Sequence, residues 1–157
     1  MIPKEVIAII SIVVIIGGAL LYIIRAKKRG AKCIGCPDGS SCKIRDFAKD
    51  LKNGAVVAYL GDLGAGKTAF TTGIVKGLGI DCNVSSPTFA ICNEYRGNGK
   101  TLYHFDMYRV DGWSDLYSTG FFDYLDTGAY ICAEWSENIF GALPDDSIIV
   151  EINKLSD

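Results

Sequence analysis

Apolar positions fall into two regimes along this 157-residue chain. Val6 to Ile24 is a 19-residue apolar run broken only by Ser11, Gly17 and Gly18, long enough to cross a bilayer as a helix. Beyond residue 42 the runs shorten and alternate in kind. Ile44, Phe47, Ala48 and Leu51 share one face of a helix predicted over residues 43–52, with Ser40 and Ser41 as caps. Asn53-Gly54 predicts a turn, and residues 55–60 a buried strand. Phe70, Ile74 and Val75 predict a helix over residues 68–77 that stops at Gly77. Residues 89–95 and 102–106 read as two strands joined by a hairpin turn over 96–100. Short helices are expected over 113–120 and 121–125, a buried strand ending in an acid over 130–134, and a last strand over 148–152. Strand and helix alternate, so the predicted fold is α/β, a sheet with flanking helices and its ligand at the strand carboxyl ends, preceded by one N-terminal transmembrane helix.

Charge sharpens this division. The net charge of −2 combines a balance of +5 in residues 1–32 with −7 in residues 33–157. Arg25, Lys27, Lys28, Arg29 and Lys32 follow the apolar run, so the positive-inside rule places the carboxy-terminal side in the cytoplasm. The acidic remainder is a poor nucleic-acid binder by itself, and contact with RNA would pass through a partner. Three domains are expected: an anchor with its basic flank (1–32), a cysteine-rich linker (33–42) and a globular domain (43–157).

The predicted strand over 55–60 and the helix after it enclose Gly61-Asp62-Leu63-Gly64-Ala65-Gly66-Lys67-Thr68, the G-x-x-x-x-G-K-[ST] pattern of a nucleotide-binding P-loop. Glycines let successive N–H groups converge on one centre with no Cβ in the way of a phosphate. The following helix, continuing through Ala69, adds its N-terminal partial charge. Lys67 would bridge the β- and γ-phosphates, and the Thr68 hydroxyl would take one magnesium position. The sheet is therefore P-loop NTPase-like, and the cofactors expected are ATP and magnesium.

The six cysteines form two groups. Cys82, Cys92 and Cys132 are dispersed, as expected of small core residues in a reducing compartment. Cys33, Cys36 and Cys42 are spaced C-x2-C-x5-C, which offers three ligands for zinc or iron–sulfur where four are usual. A metal or redox site and a solvated linker both remain open here. Residues 1–42 also resemble the small FeoB-associated cysteine-rich membrane proteins.

Three further stretches, Ser86-Pro87-Thr88-Phe89, His104-Phe105-Asp106-Met107-Tyr108-Arg109 and Glu134-Trp135, stand after the P-loop in an order and spacing that resemble the TsaE (YjeE) family. The resemblance runs from about Ser41 to Ile152. It implies the ATPase of bacterial tRNA threonylcarbamoyladenosine modification, acting with transferase subunits of the TsaB and TsaD type and reaching tRNA only indirectly. By that resemblance Thr88 matches a switch threonine near magnesium and the γ-phosphate. Asp106 matches an aspartate that holds magnesium or positions water, Glu134 a glutamate beside magnesium and the attacking water, and Trp135 an aromatic residue that stacks on adenine. A carboxylate at the end of a core strand suits such work, because it can orient water for in-line attack.

Several residues keep two readings. Trp135 either stacks on a base or packs in the core. Arg109 either meets the γ-phosphate or pairs with a carboxylate. His104 shares a strand face with Asp106 and serves as a hydrogen-bonding support or as a base. Met107 and Tyr108 read as packing residues, and Asp62 as shaping the loop or meeting a partner. Family members continue past the strand matching 148–152, so the domain is expected to be short at its carboxy end. That leaves an open sheet edge for a partner or for self-association. The reading is a cytoplasmic ATPase tethered through residues 6–24. The alternatives are a P-loop kinase of a small metabolite, weakened by the lack of a lid-like arginine cluster, and a membrane metal or redox adaptor with an inactive nucleotide fold.

Overall fold

A computed structural model of the chain describes residues 43–154 continuously, together with Val6, residues 11–18 and Leu21. Two units divide at residue 42, Met1–Cys42 and Lys43–Asp157. In the first, the described residues are helical, and Ile12, Val13, Val14, Ile15 and Ile16 are exposed. Among the described residues no helix is long and apolar enough to cross a membrane. Much of the expected 6–24 span, the basic flank, the cysteines Cys33, Cys36 and Cys42, and the FeoB-associated resemblance lie outside the described residues.

The second unit is built on five strands: β1 (Val56–Leu60), β2 (Cys92–Gly97), β3 (Lys100–Asp106), β4 (Tyr130–Glu134) and β5 (Ile148–Glu151). Their order across the sheet is β2-β3-β4-β1-β5. β3, β4, β1 and β5 run parallel, and β2 is antiparallel to β3. All five residues of β4 are buried, as a central parallel strand requires. β5 pairs with β1 as the last strand of the sheet among the described residues.

The pleat divides the core in two. Val57, Tyr59, Leu102, Tyr130 and Cys132 face one cluster with Ile74 and Val75 of the P-loop helix Lys67–Gly77 and with Leu78 just after it. Val56, Phe105, Ile131 and Ala133 face the other, with Leu116 and Phe121 of the short helices Trp113–Ser118 and Phe121–Leu125. Period-two alternation thus assigns even-numbered positions of β3 and β4 to the P-loop side. His104, Asp106 and Glu134 are even-numbered.

The leading helix, Lys43–Lys49, is shorter than the expected 43–52. It packs on the P-loop helix at close range, for a Cβ built at Gly77 would lie 2.6 Å from Ala48 Cβ and 2.7 Å from the Arg45 carbonyl oxygen. Gly77 was expected to stop the P-loop helix, but it is the last helical residue and serves this close approach. The stop is Gly79, at φ +81°. Gly79 N–H donates to Lys76 O, and Ile80 N–H to Val75 O, the bonds of a Schellman ending.

Two strand boundaries also differ. Residues 88–90 form a turn rather than strand, and β2 starts only at Cys92. Ile91 N–H donates to Pro87 O and Ile91 sits at φ +66°, a conformation that costs a β-branched residue about 1–3 kcal/mol. The hairpin turn contracts from 96–100 to Asn98-Gly99, both at positive φ, as the right-handed strand twist favours.

Candidate functional site

The ends of three parallel strands converge. β1 runs into the P-loop, β3 ends at Asp106 and β4 at Glu134, with Asp106 and Glu134 in register. Leu63, Gly64, Ala65, Gly66, Lys67, Thr68, Ser86, Thr88, Asp106, Glu134 and Trp135 line one cavity of about 270 Å³. Gly61 adopts φ +141°, and a Cβ there would lie 2.3 Å from the Ile152 carbonyl oxygen, so only glycine lets the chain leave β1 beside β5. Gly66 adopts φ +110°, and a Cβ built on it meets nothing within 4 Å. The loop is open at the point where a phosphate would approach the helix amides.

Lys67 is 4% exposed. Its ammonium donates to the carbonyl oxygens of Gly61 and Asp62, at 2.6 and 2.9 Å, and lies 3.9 Å from the centre of the Trp135 ring. Two charge-assisted hydrogen bonds and an aromatic face hold the cation in place. Trp135 follows β4 at φ 58°, ψ 43°, and Tyr108 packs on it with ring centres 4.9 Å apart. The left-handed turn at Trp135 swings the indole over the loop, and the 3-10 helix Ser136–Ala142 begins there. Nothing in the sequence announces this conformation, because tryptophan is not a usual left-handed residue.

The Thr68 hydroxyl donates to Glu134 Oε1 at 2.7 Å, and that oxygen lies 2.8 Å from His104 Nε2. On the facing side Thr88 donates to Asp106 Oδ2 at 2.6 Å, with Ser86 2.7 Å from Thr88 and 3.4 Å from the same carboxylate oxygen. The other Asp106 oxygen accepts the Tyr108 backbone N–H at 3.0 Å. Among the described residues no group of three or more histidine, cysteine or acidic side chains forms a ready metal cage. The hydroxyl of Thr68 and the carboxylates of Glu134 and Asp106 are hard oxygens, and magnesium commonly takes one or two carboxylates plus phosphate oxygens. The donor set fits it.

Other expected residues fall outside the cavity. Ala69 is an exposed residue of the P-loop helix, and Asp62 contributes its backbone oxygen. The Arg109 guanidinium lies 5.3 Å from the ring centre of the exposed Phe89, and among the described residues no carboxylate pairs with it. Met107 is buried, whereas Tyr108 is largely exposed. The three dispersed cysteines divide, Cys132 being buried and Cys82 and Cys92 half-buried. Burial pushes the Cys132 thiol up to about 12. Ser86 belongs to the Ser86-Pro87-Thr88-Phe89 stretch, but no role was read for it from the sequence. Sequence reasoning missed Lys154, whose ammonium donates to the Leu63 carbonyl at 2.8 Å across 91 residues of chain.

A parallel sheet, a glycine loop opening a helix, and two acidic strand ends facing it define a P-loop nucleotide-binding protein. Comparison with known proteins narrows the class. The family described as "Threonylcarbamoyl adenosine biosynthesis protein TsaE" matches residues 40–157, and the chain belongs to that family. It is 44% identical over 104 residues to the tRNA threonylcarbamoyladenosine biosynthesis protein TsaE of Haemophilus influenzae, covering 66% of each chain. It is 40% identical to the TsaE of Bacillus subtilis over 121 residues, 77% of this chain and 75% of that one. The Treponema pallidum TsaE is 37% identical over 108 residues, 68% of this chain and 78% of the relative. The fold matches the crystal structure of YdiB from Bacillus subtilis with a TM-score of 0.58 at 34% identity, covering 73% of this chain and 72% of the other. The role of the chain accordingly lies in tRNA threonylcarbamoyladenosine biosynthesis.

Proposed function

We propose that this chain is a P-loop ATPase that serves threonylcarbamoylation of the tRNA adenosine next to the anticodon, working as an accessory to a transferase of TsaB and TsaD type. The observation that carries the reading is the convergence of Lys67, Thr68, Thr88, Asp106 and Glu134 on one cavity at the strand carboxyl ends. Amides of residues 64–68 would bind the phosphates. Lys67 would exchange the Gly61 and Asp62 carbonyls for phosphate oxygens, a trade of one set of charge-assisted bonds for another. Thr68, Glu134 and Asp106 would hold magnesium, which supplies neutralisation of the charge that develops on the transferring phosphoryl group. Glu134 would orient the attacking water, and Thr88 would report the γ-phosphate by leaving Asp106 for it. Trp135, beside the loop, would stack on the base.

The acidic balance of residues 33–157 favours contact with tRNA through partners rather than directly. Residues 1–32 would tether the domain to the cytoplasmic face of the membrane, with residues 33–42 as linker and the domain itself over 43–157. Membrane fractionation of the full chain against a chain beginning at residue 43 tests the tether, and equal partition of the two refutes it.

The central test is calorimetry of the full chain with ATP in magnesium buffer, paired with phosphate release in the presence of the transferase subunits. Glu134→Gln should retain ATP binding and lose turnover. Wild-type turnover in Glu134→Gln removes Glu134 from its role, and no saturable heat with ATP removes the whole reading.

A further inference from the structure

His104 is the one histidine of the chain, and it is fully buried on β3 between the P-loop helix and the sheet. Its Nε2 lies 2.8 Å from Glu134 Oε1 and 3.5 Å from Thr71 Oγ1. Its Nδ1 is buried with no hydrogen-bond partner. The tilted ring of Tyr95 lies 6.3 Å away, centre to centre, and Cys132 is the register partner on β4.

This arrangement has a direction. The same Glu134 oxygen already accepts from Thr68, and a carboxylate has no proton to give. The hydrogen at the 2.8 Å contact must therefore come from Nε2. An apolar side chain would fill this space without leaving a ring nitrogen unpaired, which burial makes costly. What imidazole adds is one donor aimed at Glu134. Thr68 cannot hold that carboxylate during turnover, because its hydroxyl is also the one proposed to turn toward magnesium. His104 has no such second task.

We propose that His104 is a positioning residue: its Nε2–H grips Glu134 Oε1 from inside the core and fixes the carboxylate plane, leaving Oε2 to face the cavity. Thr71 supports it from the P-loop helix, its hydroxyl lying 3.2 Å from the Tyr59 hydroxyl and 3.5 Å from Nε2. The Thr71 hydroxyl thus packs beside the imidazole, while the one Nε2 hydrogen goes to Glu134. This positioning role rests on the role proposed for Glu134, and the first measurement below does not depend on turnover.

A single histidine makes the test direct. In the full chain labelled with 15N-histidine, long-range proton–nitrogen correlations should show the hydrogen on Nε2, and Glu134→Ala should shift that resonance. A neutral ring carrying its hydrogen on Nδ1, or an Nε2 resonance unmoved by Glu134→Ala, overturns the proposal whether or not the chain hydrolyses ATP. In kinetics, His104→Leu should keep ATP affinity within about threefold and lower kcat about tenfold, the loss expected of one hydrogen bond made to the reacting arrangement. His104→Gln, whose amide nitrogen reaches the place of Nε2, should recover most of that loss. Wild-type kcat in His104→Leu overturns the proposal, and so does a His104→Gln variant no better than His104→Leu. Should His104→Leu fail to fold, the tautomer and the His104→Gln turnover decide alone.

Discussion

Gly77 and Gly73 lie on the P-loop helix four residues apart, and both face the leading helix, so an alanine at each gains helix propensity while adding a methyl to the same interface. At Gly77 the new Cβ would stand 2.6 Å from Ala48 Cβ, 2.7 Å from the Arg45 carbonyl oxygen and 2.9 Å from Arg45 Cα. Two of those three atoms are backbone, so relief requires the helices to separate. At Gly73 the new Cβ would meet Ile44 alone, 2.6 Å from Cγ2 and 3.0 Å from Cβ, and a turn of the Ile44 side chain relieves the closest contact. The propensity gain is at most about 1 kcal/mol at either site. Overpacking against backbone costs about 1–3 kcal/mol, whereas a displaced rotamer costs about 0.5–1.5 kcal/mol. Gly77→Ala should therefore lose about 1–2 kcal/mol net, and Gly73→Ala should fall near zero. Urea unfolding of the full chain, followed by tryptophan fluorescence, measures both at a shared slope. If Gly77→Ala matches or exceeds wild-type stability, or if Gly73→Ala loses more than Gly77→Ala, the close approach does not govern this interface.

Lys67→Met keeps the apolar stem and removes the ammonium. Losing at least two charge-assisted bonds to phosphate, about 3 kcal/mol together, should weaken ATP binding about a hundredfold or more in calorimetry; an affinity within fivefold of wild type would rule out the phosphate contact. Thr88→Val removes the donor to Asp106 at nearly constant volume, and it should weaken ATP binding about tenfold, the value of one hydrogen bond, with ADP unchanged. Equal losses for the two nucleotides would deny Thr88 a sensing role. Alkaline stability follows from Cys132, whose folded thiol is pushed by burial from 9.0 up to about 12. The unfolded chain then releases a proton that the folded chain keeps, so this stability is complete below pH 9 and is lost as pH rises toward 12. The slope should be about 1.4 kcal/mol per pH unit from this group. Urea midpoints from pH 8 to 11 should fall less steeply in Cys132→Ala than in wild type, and parallel slopes would remove Cys132 as the cause.

Much of the domain was legible because its signals are local. Periodicity located all five strands and the P-loop helix, and the P-loop pattern with its flanks placed the phosphate-binding loop between β1 and that helix. Asp106 and Glu134 each stand at the end of a predicted strand, and parallel pairing carries such ends to one edge of the sheet; Thr88 was singled out by the family resemblance. Local patterns could not show partners that meet across long stretches of chain. Nothing near Gly77 tells that it faces Arg45 and Ala48 rather than ending its helix. Nothing near Trp135 tells that its backbone turns left-handed and lays the indole over Lys67. Nothing near Arg109 tells that its guanidinium meets the ring of Phe89, which the turn at 88–90 brings to it. The partners of His104 also needed the fold, which sets Nε2 against Glu134 thirty residues away and leaves Nδ1 buried without a hydrogen-bond partner. Sequence decided which elements form and where the phosphate-binding loop stands among them, because glycine freedom and periodicity belong to the chain itself. Tertiary structure decided which atoms face each other, because hydrogen bonds at 2.6–2.8 Å across the cleft depend on how the strands register and how the helices pack.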